Sequence, residues 1–219
     1  MTFNMKTAVD RPFIDEAEEQ AYQILLGQYR VYYAYWNSKI HPKLRILGLL
    51  ITLFGLVISI STIAYLKIKY NNSACVDTSI TQLLLYTLLF LIFAGVFYFL
   101  PKRRKSIPNW AMKSATKNFK KVARRCVNEA KKLAPFEAEY NIDGLSVSYL
   151  RLQGEDRKHV WTRKLKGVAV HHSLVTLFFK KWTSLSPIMV ILHEDFDLLK
   201  PALEQQDIEF KSFSINDCD

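Results

Sequence analysis

The spacing of apolar residues changes along this chain, and each spacing predicts a different element. Ala17, Ala21, Ile24, Val31 and Tyr35 recur at helical intervals, as do Tyr22, Leu25, Tyr29, Tyr32 and Trp36. Asp15 with Glu18 three residues later reads as the helix start, with Asp in place of the usual Ser or Thr. This amphipathic helix is expected to reach a membrane near Trp36 to Pro42, because Tyr and Trp favour the interface. Residues 46–66 and 78–100 then carry no charged side chain. A run of that length makes a helix of about 30 Å, the depth of a bilayer's hydrocarbon core.

A second amphipathic helix is predicted over 109–133. Met112, Ala115, Phe119, Val122, Cys126 and Leu133 form its apolar stripe. After Pro135 the period becomes two. Phe136, Ala138, Tyr140 and Ile142 alternate with polar residues, then Asp143-Gly144, then Leu145, Val147 and Tyr149. An Asp-Gly loop pairs Ile142 with Leu145, Tyr140 with Val147 and Ala138 with Tyr149. Further strands are expected at 159–162 around Trp161, at 168–172, 174–180 and 188–192. A short helix between Phe196 and Gln206 should carry Pro201 in its first turn. The fold class is therefore an α+β membrane protein. It has two transmembrane helices, amphipathic cytoplasmic helices, and a small antiparallel β domain closed by a C-terminal helix.

The expected organisation is a cytoplasmic helix over 1–43, a first span over 44–68 and an external loop over 69–79. A second span over 80–100, a basic juxtamembrane helix over 101–134, the β domain over 135–210 and a tail over 211–219 follow. Charge orients the spans. Arg30, Lys39, Lys43 and Arg45 precede the first; the loop offers Lys67 and Lys69. Lys102, Arg103, Arg104 and Lys105 follow the second, then Lys113, Lys117, Lys120, Lys121, Arg124 and Arg125. Positive charge stays inside, so both termini are expected in the cytoplasm of a multi-pass inner-membrane protein.

Those ten basic residues are candidates for contact with anionic lipid, each attracted by about 1 kcal/mol near the surface. A plain solvated helix face is the alternative, and nucleic acid is not expected as a partner because the helix follows a membrane span directly. Within the first span, Gly48, Thr52, Gly55, Ser59 and Thr62 share one face. Small residues let helix backbones approach closely in lipid, against the second span or, alternatively, in a homodimer.

Composition narrows the chemistry. The 219 residues carry a net charge of +10 while half are hydrophobic, so apolar and basic residues are segregated. Seven glycines leave little for phosphate-cradling loops. Cys75, Cys126 and Cys218 are odd in number and far apart, which argues against a disulfide framework or zinc knuckle. His171 and His172 are adjacent on an expected strand and point to opposite faces. His193, Glu194 and Asp195 sit at a strand-to-helix junction, where a helix cap explains them more simply than a metal. No nucleophile elbow, P-loop or zincin motif occurs. No cofactor and no catalytic residue are expected.

The stretches "FYFLPKRRKSIPNWAMKSATKNFKKVARR", "AEYNIDGLSVSYL", "HVWTRKLKGV" and "LHEDFDLLKPALE" resemble the YcxB-like bacterial membrane proteins. Trp161 sits where that family has a tryptophan opening a strand-to-turn segment. The resemblance implies a C-terminal domain similar to pleckstrin-homology-like domains, and it implies architecture more than activity. The expected function is a non-enzymatic, membrane-anchored cytoplasmic binding or scaffold protein with a protein partner. The alternative is a membrane-embedded immunity or regulatory protein that blocks another membrane-active protein. An enzyme with a loop-built site is a third reading.

Overall fold

A computed structural model describes residues 2–69, 74–99 and 107–212. The chain is α+β and divides into two units, one made of Met1–Tyr33 with Ile107–Asp219, the other of Ala34–Ser106.

The first unit is discontinuous in sequence. It opens with a strand that the helical reading of the N-terminal region had missed, β1 (Thr2–Val9). Met5, Thr7 and Val9 are buried, while Asn4, Lys6 and Ala8 are exposed, the alternation of a half-buried strand. The helix α1 (Arg11–Tyr35) begins four residues before the expected cap at Asp15. The cap is Asp10, whose carboxylate accepts from the Phe13 N–H at 2.8 Å. Helix α4 (Asn109–Leu133) has the expected bounds.

Four strands, β1, β2 (Phe136–Asp143), β3 (Ser146–Gln153) and β4 (Asp156–Lys164), form one antiparallel sheet in that order. A second sheet has the order β7-β6-β5-β8, from β5 (Val168–His172), β6 (Val175–Phe179), β7 (Met189–Leu192) and β8 (Phe210–Ser212). β8 joins β5 in parallel, and the other pairs are antiparallel.

The first hairpin differs from its expected register by two residues. Asp143 pairs with Ser146, Ile142 with Val147 and Tyr140 with Tyr149. Gly144, at φ +54, takes the first loop position and Leu145 the second. A glycine at positive φ suits the first position of a two-residue loop, so Asp143 stays in the strand. A slip of two preserves the faces, and Ala138, Tyr140, Ile142 and Val147 all remain buried.

Helix α5 (Phe196–Glu204) holds Pro201 in its interior and not its first turn. Pro201 is exposed, as is Asp197, whose carbonyl would have accepted the missing N–H, so water can satisfy it. One hydrophobic core joins side chains of both sheets with α1, α4 and α5, including Ile14, Ile24, Phe119, Val147, Phe178 and Leu199. Gln20 of α1 pins the β5–β6 turn, donating to Ser173 Oγ at 2.9 Å and accepting from the Leu174 N–H at 2.8 Å.

The second unit contains a π-helical turn (Trp36–Ile40), α2 (His41–Lys69) and α3 (Ala74–Phe99). The His41 N–H reaches back to the Trp36 carbonyl. Pro42 has no N–H, and its ring would crowd the Ser38 carbonyl in a tight α turn; the wider π turn relieves that contact. Helix α3 starts at Ala74, inside the stretch expected as loop. Among the described residues, one helix is long and apolar enough to cross a membrane, in the helical run Arg11–Lys69, and 11% of its most apolar segment is buried. Ile80–Val96 is a shorter apolar stretch.

Helices α2 and α3 pack together through the small-residue face. Gly48, Thr52 and Ser59 are the buried residues of α2. A Cβ at Gly55 would lie 2.6 Å from the Phe90 ring of α3, closer than any side chain tolerates. The Thr52 hydroxyl donates to backbone carbonyls of its own helix, at 3.1 Å to Gly48 and 2.9 Å to Leu49. Outward, Leu50, Leu53, Phe54, Ile58, Leu85 and Ile92 are exposed.

Candidate binding cleft

Within the first unit, α4, the β3–β4 pair and β7 border a cleft of about 300 Å³. Its aromatic floor grows from the first sheet. Tyr140 and Tyr149, cross-strand neighbours on β2 and β3, stack at 4.9 Å with an interplanar angle of 18°. Trp161, opposite Tyr149 on β4, tilts against it at 5.5 Å. The Tyr140 hydroxyl accepts from the Leu192 N–H at 3.1 Å and ties β2 to β7.

A bulge shapes the β4 wall. Tyr149 pairs with Trp161 and Leu150 with His159, so Val160 is the extra residue. Strict alternation would send Val160 and Trp161 to opposite faces, but the bulge lets both line the cleft. Trp161 is consequently half-buried at the core's margin and not fully enclosed as the sequence suggested. Single-sequence periodicity carries no signal for such an insertion.

Charge at the cleft is mainly positive. Arg125 of α4, Arg151 of β3 and Arg163 of β4 line it against one carboxylate, Glu129. Arg163 lies over the Trp161 ring at 5.3 Å and donates to the Ile188 carbonyl at 2.9 Å. Among the described residues, neither Arg125 nor Arg151 forms an ion pair or a side-chain hydrogen bond. Burial pushes the Tyr149 phenol up to about 12, with Arg151 opposing and Glu129 adding to the rise. Cys126 also lines the cleft, and burial pushes its thiol up to about 11. At neutral pH both groups are protonated, so neither is a ready nucleophile.

The expected lipid-facing residues fall into separate groups. Lys102, Arg103, Arg104 and Lys105 lie outside the described residues. Lys113, Lys117 and Lys121 are exposed on α4, Lys120 sits 5.4 Å over the Tyr22 ring, and Arg124 pairs with Glu18 of α1 at 3.0 Å. Arg125 belongs to the cleft. The apolar stripe of α4 is spent inside the unit, since Ala115, Phe119, Ala123 and Val127 are buried there. Apart from the exposed Trp110 in its first turn, the helix offers a bilayer mainly its charges.

His171 and His193 pack within the α+β unit. His193 is fully buried, and its Nε2 meets the Thr176 hydroxyl at 2.7 Å. Asp195 caps α5 by accepting from the Asp197 N–H at 2.9 Å, and His171 stacks on Phe196 at 3.7 Å. Among the described residues, no three His, Cys, Asp or Glu side chains converge as a metal site would require.

No family model, curated protein or solved structure matches the chain.

Proposed function

We propose that this chain is a multi-pass membrane protein that presents a non-catalytic binding unit in the cytoplasm. The observation that carries the reading is the reversal of burial in α2 and α3. The small residues of α2 face α3, Gly55 against the Phe90 ring, while leucine, isoleucine and phenylalanine side chains such as Leu50, Ile58, Phe54 and Leu85 cover the outside. Monomeric soluble proteins rarely expose contiguous apolar surface on that scale. Both helices are taken as spans, with α3 extending the apolar stretch Ile80–Val96 at its ends. The basic residues flanking them favour cytoplasmic termini. The basic face of α4 adds attraction to anionic lipid through charge alone.

The cleft supports binding more than catalysis. It offers stacked rings and guanidinium groups, but no nucleophile paired with a base. The YcxB-like resemblance, with its pleckstrin-homology-like domain, is part of this proposal. The small-residue face is occupied by α3 of the same chain, so a dimer through that face is not part of it.

Membrane extraction tests the reading. The protein should stay in the pellet after alkaline carbonate washing. A membrane-impermeant maleimide should label Cys75 in intact cells and spare Cys126 and Cys218. Release by carbonate, or labelling of Cys218 with Cys75 untouched, would overturn it.

A further inference from the structure

We infer that the cleft binds a small aromatic oxyanion: a flat ring carrying one phosphate or carboxylate group. The inference rests on the binding reading above and names the ligand class for the same site.

The cleft supplies each half of such a ligand with a distinct partner. For the anionic head there are three guanidinium groups against one carboxylate. Arg125 and Arg151, from different elements, retain unused donors among the described residues. A guanidinium presents a planar fork of N–H groups that matches carboxylate or phosphate oxygens. For the ring there is the half-buried Tyr149–Trp161 pair, tilted by 51°. Tyr149 already stacks on Tyr140 and Trp161 already carries Arg163, so the pair offers its edges to a third ring, the edge-to-face geometry that aromatic groups prefer alongside offset stacking. Arg163, already stacked over Trp161 and anchored to the Ile188 carbonyl, holds its charge at the junction of the two halves. The volume of about 300 Å³ suits a small molecule and is too small for a folded partner. A neutral aromatic would leave the guanidinium excess unmatched. A bare anion would leave the rings unused.

Cys126 lines the same cleft and provides a readout. The full chain carrying Cys75→Ser and Cys218→Ser is purified in detergent and alkylated at about pH 9, where a raised thiol still reacts. The rate is measured against 1-naphthyl phosphate, 1-naphthoate, 1-naphthol, inorganic phosphate and phosphatidic acid in mixed micelles. At least one naphthyl anion should shield Cys126, with the half-effect concentration raised tenfold or more by Arg151→Gln. The circular dichroism of that variant should match the parent, so a loss of shielding reads as lost binding. Inorganic phosphate and 1-naphthol should each need at least tenfold more.

Equal shielding by 1-naphthol would overturn the anionic class and leave the binding reading standing. Equal shielding by inorganic phosphate would overturn the aromatic half. Stronger shielding by phosphatidic acid would assign the site to a lipid headgroup and overturn the small-ligand class. Shielding by none of the five would overturn both the class and the cleft as a binding site. Carbonate extraction would still report on the anchor separately.

Discussion

The two units of this molecule solve packing in opposite senses. In the α+β unit the large apolar side chains turn inward; Phe178, Phe179, Ile14 and Leu199 are fully buried. In the helical pair the interior is made of Gly48, Thr52 and Ser59, and the large side chains turn outward, as with Phe54 at 69% exposure. Water drives the first arrangement by excluding apolar surface. For the pair set in lipid as proposed, that drive is absent between helices, and close van der Waals contact through small residues replaces it. The same residue type can therefore carry opposite meanings: Phe178 marks the inside of one unit and Phe54 the outside of the other.

Matched substitutions should break this symmetry most visibly. Phe178→Ala removes a fully buried ring and should cost about 3–5 kcal/mol. Phe54→Ala, in the same detergent-solubilised chain, should leave the denaturant midpoint nearly unchanged. Tryptophan fluorescence through the unfolding transition reads both. Equal losses would mean that the outer face of α2 is buried against something, and the inside-out description would fall.

Acid should act on the α+β unit by a somewhat smaller amount. Burial lowers the His193 imidazole to about 4, with His171 nearby adding to the depression and Asp195 opposing it. Above an unfolded value of about 6.5 both states hold it neutral, and it contributes no pH dependence. As pH falls from about 6.5 to about 4, the unfolded chain takes up a proton that the folded one refuses, and stability falls by roughly 3 kcal/mol. Below that window the loss levels off. Unfolding midpoints between pH 7 and 4 should show this slope, and His193→Gln should flatten it. A slope unchanged in the variant would show that His193 is not the group responsible.

The smallest effect belongs to the helical pair. Gly55→Val places a side chain where Phe90 already stands and should cost about 1–3 kcal/mol through overpacking. Amide exchange along α2 and α3 in lipid nanodiscs should speed up, while exchange in the β sheets stays as in the parent. Faster exchange in the sheets alone would contradict the α2–α3 packing.

Sequence legibility followed the same division. Periodicity located α4 to the residue and β5, β6 and β7 within one or two residues, because their apolar positions feed a single core. It also found the small-residue face, since steps of three and four are visible without a structure. It missed β1, although Met5, Thr7 and Val9 alternate correctly, because the strand's partner β2 is remote in sequence. It placed the first hairpin two residues away, since Asp-Gly and Gly-Leu are both workable loops and only backbone dihedrals separate them. The cleft was not legible. Trp161 and Arg125 had been noted, but for a core and a lipid surface; Arg151 and Val160 gave no signal, because a bulge and a shared corner bring them there. Gly167 marks a constraint of the same hidden kind. At φ +79, a Cβ there would fall 1.8 Å from the Phe179 carbonyl oxygen, so the entry to β5 admits only glycine.

Strand β1 has a consequence for how the protein is made. Asn4 hydrogen bonds to Glu139 across 135 residues of sequence, and all of β1 pairs with β2. Strand β1 thus leaves the ribosome well before β2, the next strand of its sheet, which is synthesised only after both apolar helices. Until then β1 and the apolar stripe of α1 have no sheet to join, and their exposed edge is open to mispairing. A clone started at α4 to obtain a tractable fragment would lose β1 and leave the β2 edge uncovered.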